Sequence, residues 1–265
     1  MRIGLIQSSP VFGEADANAS ALASAIASTD ADFYVLPELC LSGYDFDDRA
    51  EAERNALYPD AEPLERVARA AAERNAGVAF GFAERAPGPD GRTRVFNSAR
   101  LAFPDGRRFT YRKTHLFARE KLLFDSGDTG FFVEEFRGLR VGVAVCFDWI
   151  FPESFRALAL KGADLIAHCS NLVLPYCQRV DYARAIENRV YIATANRVGT
   201  EERSGRTLHF TGESVLVAPD GEYLLRLSTE TPDAGVAAAH PAKARNKALG
   251  QYNDLFADRR PELYE

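Results

Sequence analysis

The stretch 139–146, LRVGVAVC, followed by PESFRALALK at 152–161 and ADLIAHCS at 163–170, decides the fold. A run of β-branched and small apolar residues closes on a cysteine. A helical stretch then opens on Pro152, whose fixed φ suits a first helical turn, and a second apolar run follows. A further helix near 178–188 and the strand VYIATANRVG at 190–199 complete an order of strand, helix, strand, helix, strand, the pattern of a layered α/β fold.

The first half has the same order: RIGLIQ (2–7), a helix over 16–28, FYVLPE (33–38), a helix over 62–75 and GVAFGFAE (77–84). The repeat extends into hairpins. ARLAFPDGRRFTYRK (99–113) and ESVLVAPDGEYLLRL (213–227) both place Pro-Asp-Gly between alternating strands, at Pro104–Gly106 and Pro219–Gly221, where Pro presets φ and Gly accepts the left-handed turn position. A sheet in each half, with helices on one side, leaves an apolar face that the other sheet can cover. The expected architecture is therefore an α/β four-layer αββα sandwich with internal pseudo-symmetry, one domain over 1–265. The segment RAPGPDGRT at 85–93 reads as a turn or surface loop, not a linker. After about Pro241 the periodicity fades into charges interleaved with aromatics, so the tail 240–265 is expected to dock on its own or a partner subunit, at a subunit interface.

At 265 residues and 46% hydrophobic, the chain can bury a substantial core without crosslinks. Its formal charge of −6 argues against nucleic-acid or anionic-membrane partners, which attract basic surfaces. Cys40, Cys146, Cys169 and Cys177 form neither a disulfide scaffold nor a CxxC pair, which fits a reducing cytoplasm. MRIGLIQSSP turns polar too soon for an export signal, and nowhere do eighteen apolar residues run together, so no membrane span is expected.

Three positions carry the candidate chemistry. Cys146 sits at a strand-to-helix junction, where backbone N–H groups around Phe147 could favour a thiolate and cradle an oxyanion. Glu38 ends another strand, placing an ionisable group against an apolar run, and the pseudo-equivalent position in the second half falls near Asn171. Lys113 closes a hairpin strand with Glu120 seven residues later; a buried lysine there would need carboxylate partners. Each also has a plain structural reading, as a small buried cysteine, a solvated carboxylate and a surface lysine. His115 offers a competing cysteine–histidine pairing, whereas His168, inside LIAHCS, reads as a core histidine satisfied by hydrogen bonds. No HxxxH or CxxC spacing points to a metal.

Together these segments resemble the nitrilase superfamily of carbon-nitrogen hydrolases. The likeness runs from IGLIQSSP (3–10) through LPELCLSGY (36–44), YRKTHLFAREKLLFDSGD (111–128), VGVAVCFDWIFPE (141–153) and RAIENRVYIATANRVG (184–199) to FTGESVLVAPDG (210–221) and ARNKALGQYNDLFADRRPELY (244–264). Individually the segments are unspecific; their order and spacing are specific. The resemblance implies the αββα sandwich, a general base at Glu38, an oxyanion-stabilising lysine at Lys113, a nucleophile at Cys146 and a second glutamate at Glu120. True nitrilases commonly follow the nucleophile with Trp-Glu; here Phe147 and Asp148 stand, as in the amidase and carbamoylase branches.

The function expected on that basis is hydrolysis of a small aliphatic or carbamoyl amide to acid and ammonia through a thioester, without cofactor or metal. A nitrilase with the same triad is the alternative, and a non-catalytic small-amide-binding protein the reading from another class. Glu120 either positions Lys113 and substrate or only neutralises a buried cation. Tyr44, Phe117, Phe147, Trp149 and Asn171 are the candidate substrate-binding residues. The apolar faces of the helices after Cys146 and near 178–188, with the resemblance, imply a homodimer or a higher even assembly.

Overall fold

The computed structural model describes residues 1–88 and 91–264. The first half contains β1 (Arg2–Gln7), α1 (Ala15–Ser28), β2 (Phe33–Val35), α2 (Arg49–Asn55), α3 (Glu62–Glu73), β3 (Gly77–Pro87), β4 (Thr93–Ala102), β5 (Arg108–Arg112) and α4 (Glu120–Leu123). The second contains β6 (Val133–Phe136), β7 (Leu139–Val145), α5 (Pro152–Leu160), β8 (Leu165–Cys169), α6 (Cys177–Asn188), β9 (Tyr191–Ala195), β10 (Val198–Arg203), β11 (Arg206–Thr211), β12 (Val215–Val217), β13 (Tyr223–Arg226), β14 (Asp233–Ala238) and α7 (Pro241–Arg245). Of the turn expected over 85–93, residues 89 and 90 lie outside the described residues; β3 and β4 flank it as a hairpin.

Two six-stranded sheets form, in the orders β14-β1-β2-β3-β4-β5 and β13-β12-β9-β8-β7-β6. Read from opposite ends they have the same plan: β1, β2, β3 are parallel neighbours like β7, β8, β9, and the Pro-Asp-Gly hairpins β4–β5 and β12–β13 occupy matching places. One asymmetry stands out. The antiparallel strand beside β7 is its hairpin neighbour β6, but the strand beside β1 is β14, more than two hundred residues away in sequence.

The layering follows from strand alternation. Ile3, Leu5, Phe33, Val35 and Ala79 point into the core between the sheets, together with Val141, Val143, Leu165 and Ala167. Their neighbours Ile6, Tyr34, Val78 and Phe80 point the other way, under α1 and α3. α3 meets them with Leu64, Val67, Ala68 and Ala71, a spacing that puts all four on one helical face. α5 starts on Pro152 and stops before Gly162, whose φ of +90° ends the helix as only glycine does without strain. No helix among the described residues is long and apolar enough to cross a membrane.

The tail docks on its own subunit as far as Phe256. Arg245 pairs with Asp164, and Lys247 Nζ donates to the carbonyls of Asn188 and Arg189 at the end of α6. Beyond those anchors Leu249, Tyr252, Leu263 and Tyr264 remain exposed.

Candidate active site

Glu38 lies three residues past β2, in a turn pressed against β3. Cys40 N–H donates to Gly81 O and Gly81 N–H to Pro37 O, and a Cβ on Gly81 would stand 2.4 Å from Glu38 Cα. A second glycine does the same for the lysine: Gly127 N–H donates to Lys113 O, and a Cβ there would stand 2.6 Å from that oxygen. Close backbone approach is the reason for glycine at both places.

These segments bring three of the expected residues into direct contact. Lys113 Nζ lies 2.7 Å from Glu38 Oε1, 2.9 Å from Glu120 Oε1 and 2.8 Å from Glu120 Oε2. All three side chains are at most 2% exposed. Glu120 also accepts the Tyr44 hydroxyl at 2.7 Å and the Phe117 N–H at 3.1 Å, so it is held from three directions. Glu38 Oε1 takes a further bond from Asn97 Nδ2 at 2.7 Å, while Oε2 is buried with no hydrogen-bond partner among the described residues.

Cys146 follows β7 directly and begins a short 3-10 turn to Ile150, with φ at +40°, a left-handed conformation costly for a side chain with a Cβ. Asp148 holds the turn. Its buried carboxylate accepts the Val145 N–H at 2.9 Å and the Tyr111 hydroxyl at 2.8 Å, and meets His115 Nδ1 at 2.7 Å. The Cys146 thiol points to Asn171 O at 3.8 Å. His115 is committed to Asp148 and stacks on Phe151 with centroids 3.8 Å apart, so the cysteine–histidine pairing weighed from the sequence does not form.

The electrostatics follow from burial. Burial, then Glu38, push the Cys146 thiol well above its ordinary value. The thiolate that the Phe147 backbone was expected to favour is therefore not the resting form, because the site already holds two carboxylates and one ammonium. Burial also raises Glu38, to about 7, against the opposing pull of Lys113. For Lys113, burial opposes the charge, but Glu120 and Glu38 outweigh it and keep the ammonium charged.

A cleft with about 240 Å³ of empty space, counted out to solvent, opens beside the sulfur. Phe117, Phe147, Trp149 and Asn171 line it with Leu172–Leu174, and the Phe117 and Phe147 rings lie 5.0 Å apart. Both ends of the buried Asn171 carboxamide lack a hydrogen-bond partner among the described residues. Tyr44 is not in the lining; its hydroxyl bonds Glu120. Sequence reasoning missed Asn97 and gave Asp148 no structural task. Asn97 gave no signal, since β4 mixes polar and apolar residues around it, and Asp148 gave none, since its Tyr111 and His115 partners lie more than thirty residues away.

A four-layer αββα sandwich with this buried group at its strand ends is the setting in which the comparisons with known proteins fall. The carbon-nitrogen hydrolase family model matches residues 2–247, and the chain belongs to that family, as a hydrolase acting on carbon-nitrogen bonds. It is 41% identical to a nitrilase of Pyrococcus abyssi over 100% of this chain and 99% of that one. It is 35% identical to an (R)-stereoselective amidase of Pseudomonas sp. over 84% of this chain and 80% of the other. Among solved structures it is similar to an amidase of Nesterenkonia sp. AN1 (TM-score 0.79, 27% identity, 99% and 98% covered), described with acrylamide added to its active-site cysteine.

Proposed function

We propose that the protein is an amidase that releases ammonia from a small amide through a thioester on Cys146. The observation that carries this reading is the unpartnered Glu38 Oε2, in a carboxyl raised to about 7, buried in one electrostatic group with a neutral thiol and a charged lysine. A general base works best when its pKa is near the operating pH, and a thiol held above its ordinary value needs such a base.

Glu38 takes the Cys146 proton as the sulfur bonds to the amide carbonyl carbon, whose electron pair moves onto oxygen. Lys113 Nζ and the Phe147 N–H hold that oxyanion. Collapse breaks the carbon-nitrogen bond, and the leaving nitrogen takes the proton back from Glu38. A water, deprotonated by the same carboxylate, then attacks the thioester; the thiol is restored and the acid leaves. The cleft rings of Phe117, Phe147 and Trp149 receive the apolar part of the acyl group, and the Asn171 carboxamide offers an NH2 and a carbonyl oxygen to its polar atoms.

Nitrile hydrolysis through a thioimidate is the second reading, favoured by the name of the Pyrococcus relative. Phe147-Asp148 after the nucleophile weighs toward amides. Four buried, unbridged cysteines support a reducing, cytoplasmic setting. The exposed Ile150, Leu160, Tyr182 and Ile186 on and around α5 and α6 support a homodimer joined there, with the tail reaching across. The test is ammonia release from a panel of aliphatic amides, carbamoyl compounds and nitriles, with Cys146→Ala beside the wild type. Release from amides, lost in the variant, is expected. Release from nitriles alone would replace the reading by its alternative, and equal release by the variant would remove Cys146 as nucleophile.

A further inference from the structure

Next to the nucleophile, a line of fully buried polar side chains crosses three elements of the second half. His168 on β8 places Nε2 2.9 Å from the carbonyl oxygen of Cys146, with Ser170 Oγ 3.2 Å from the same nitrogen. Its Nδ1 lies 3.0 Å from Thr194 Oγ1, directly across the β8–β9 pairing. Thr194 Oγ1 in turn lies 2.6 Å from Asp181 Oδ2 on α6. His168, Thr194 and Asp181 are all 0% exposed, and no arginine or lysine forms an ion pair with Asp181 among the described residues.

Hydrogen counting fixes the bond to Cys146. A carbonyl oxygen has no hydrogen to give, so His168 Nε2 carries one and donates it to Cys146 O. Burial holds the His168 ring down, at about 4, so it is neutral and Nδ1 is bare. The Thr194 hydroxyl is then the donor to Nδ1. When the Asp181 carboxyl, which burial raises to about 7, carries its proton, it donates to Thr194; when ionised, it accepts the Thr194 hydroxyl instead. With Asp181 protonated the chain runs Asp181 to Thr194 to His168 to Cys146 O, each group donating to the next. Such serial bonds strengthen one another in a dry interior.

We propose that His168 is a positioning residue for the reaction. It clamps the carbonyl of Cys146 and so orients the peptide plane whose other end is the Phe147 N–H, with Thr194 and Asp181 holding the ring in the one tautomer that can do this. The peptide bond is trans, so a carbonyl drawn back toward β8 turns the N–H of Phe147 forward, toward the cleft. The left-handed φ of Cys146 is not held by local preference, so the His168 bond on its carbonyl adds to the hold that Asp148 has on the Val145 N–H. The inference rests on the proposed roles of Cys146 as nucleophile and of the Phe147 N–H as oxyanion donor.

The test compares two reagents on Cys146, followed by mass spectrometry of the Cys146 peptide. Acylation by p-nitrophenyl acetate passes through an oxyanion; reaction with methyl methanethiosulfonate, in which the sulfur attacks sulfur, does not. Losing an oxyanion donor outright costs about a hundredfold to a thousandfold, so a donor left in place but unclamped should cost about ten- to a hundredfold. His168→Leu and Thr194→Val should slow acylation by that much and leave the thiosulfonate rate within about threefold of wild type. His168→Gln and Thr194→Ser, which keep a donor, and Asp181→Asn, which can still donate to Thr194, should recover most of the rate. Acylation of His168→Leu at the wild-type rate would overturn the proposal, as would equal slowing with both reagents. If the Leu variant does not fold, Thr194→Val against Thr194→Ser decides alone. Acylation that persists in Cys146→Ala would instead bring down the nucleophile reading, and the inference with it, by a different signature.

Discussion

Replacing Lys113 by methionine keeps the length of the side chain and removes its charge, leaving two carboxylates, Glu38 and Glu120, facing one another in a site that solvent does not reach. Removing one partner of a buried ion pair costs roughly 3–5 kcal/mol, because the remaining charge is neither solvated nor paired. At about 2–4 °C per kcal/mol for a chain of this size, that is a fall in Tm of about 6–20 °C near pH 8. The loss has a definite pH dependence. Without the ammonium, the carboxylates bind protons more tightly in the folded chain than in the unfolded one. A carboxyl raised on folding contributes stability that is full below its unfolded value and lost as pH rises through its folded value. Glu38 is already raised to about 7 with Lys113 present, so in Lys113→Met the deficit should shrink toward pH 5 and widen toward pH 8. Thermal melts of both proteins from pH 5 to 8 measure this. A deficit under about 1 kcal/mol at pH 8, or one independent of pH, would refute the account of the site as a charge-balanced buried group.

Turnover should climb as pH rises through about 7, where Glu38 gives up its proton and becomes able to accept one from Cys146; a rate flat from pH 5 to 8 would remove Glu38 from the base's role. Gly81→Ala should lower both stability, by about 1–3 kcal/mol, and activity, because the new methyl meets the Glu38 backbone, whereas the same change at Gly91, with open space around it, should leave activity intact. Asn171→Ala should raise KM about fivefold to tenfold with kcat less affected, the loss of one net hydrogen bond to the acyl group; an unchanged KM across the amide panel would take Asn171 out of the cleft's recognition. Sedimentation at micromolar concentration should show a dimer, and Ile186→Glu on α6 should weaken it; a wild-type monomer would end that proposal.

The sequence carried the parts of this molecule that depend on short-range pattern. Strand and helix order, both Pro-Asp-Gly hairpins and the facing sheets were readable, because Ile3, Leu5, Phe33 and Val35 alternate with residues that face a helix layer. Glu38 and Cys146 drew attention because each follows an apolar run, and Lys113 because it closes a hairpin strand and would need carboxylate partners if buried. What was not readable depends on distant partners. β14, DAGVAA, has a weak apolar pattern and is mostly exposed; it is a strand because β1 offers an edge. The β10–β11 hairpin and α2 went unread, and so did the Arg197–Glu201 ion pair, in which Glu201 also accepts the Tyr44 and Asp45 N–H groups. Asn97 and Asp148 belong to the same class: their importance comes from contacts made across tens of residues.

The origin of β14 also sets an order of events during synthesis. The second sheet receives its edge strand β6 before β7 is even made, so that flank is closed as soon as the hairpin leaves the ribosome. The first sheet is complete except for the outer side of β1, and that side stays bare until residues 233–238 emerge, near the end of the chain. A nascent or truncated polypeptide therefore displays Ile3, Leu5 and Ile6 on an unpaired strand, an invitation to join another chain. Cutting the gene between the two repeats would not release two autonomous halves: the first would lack its last strand, and the second would have one with nothing to pair to.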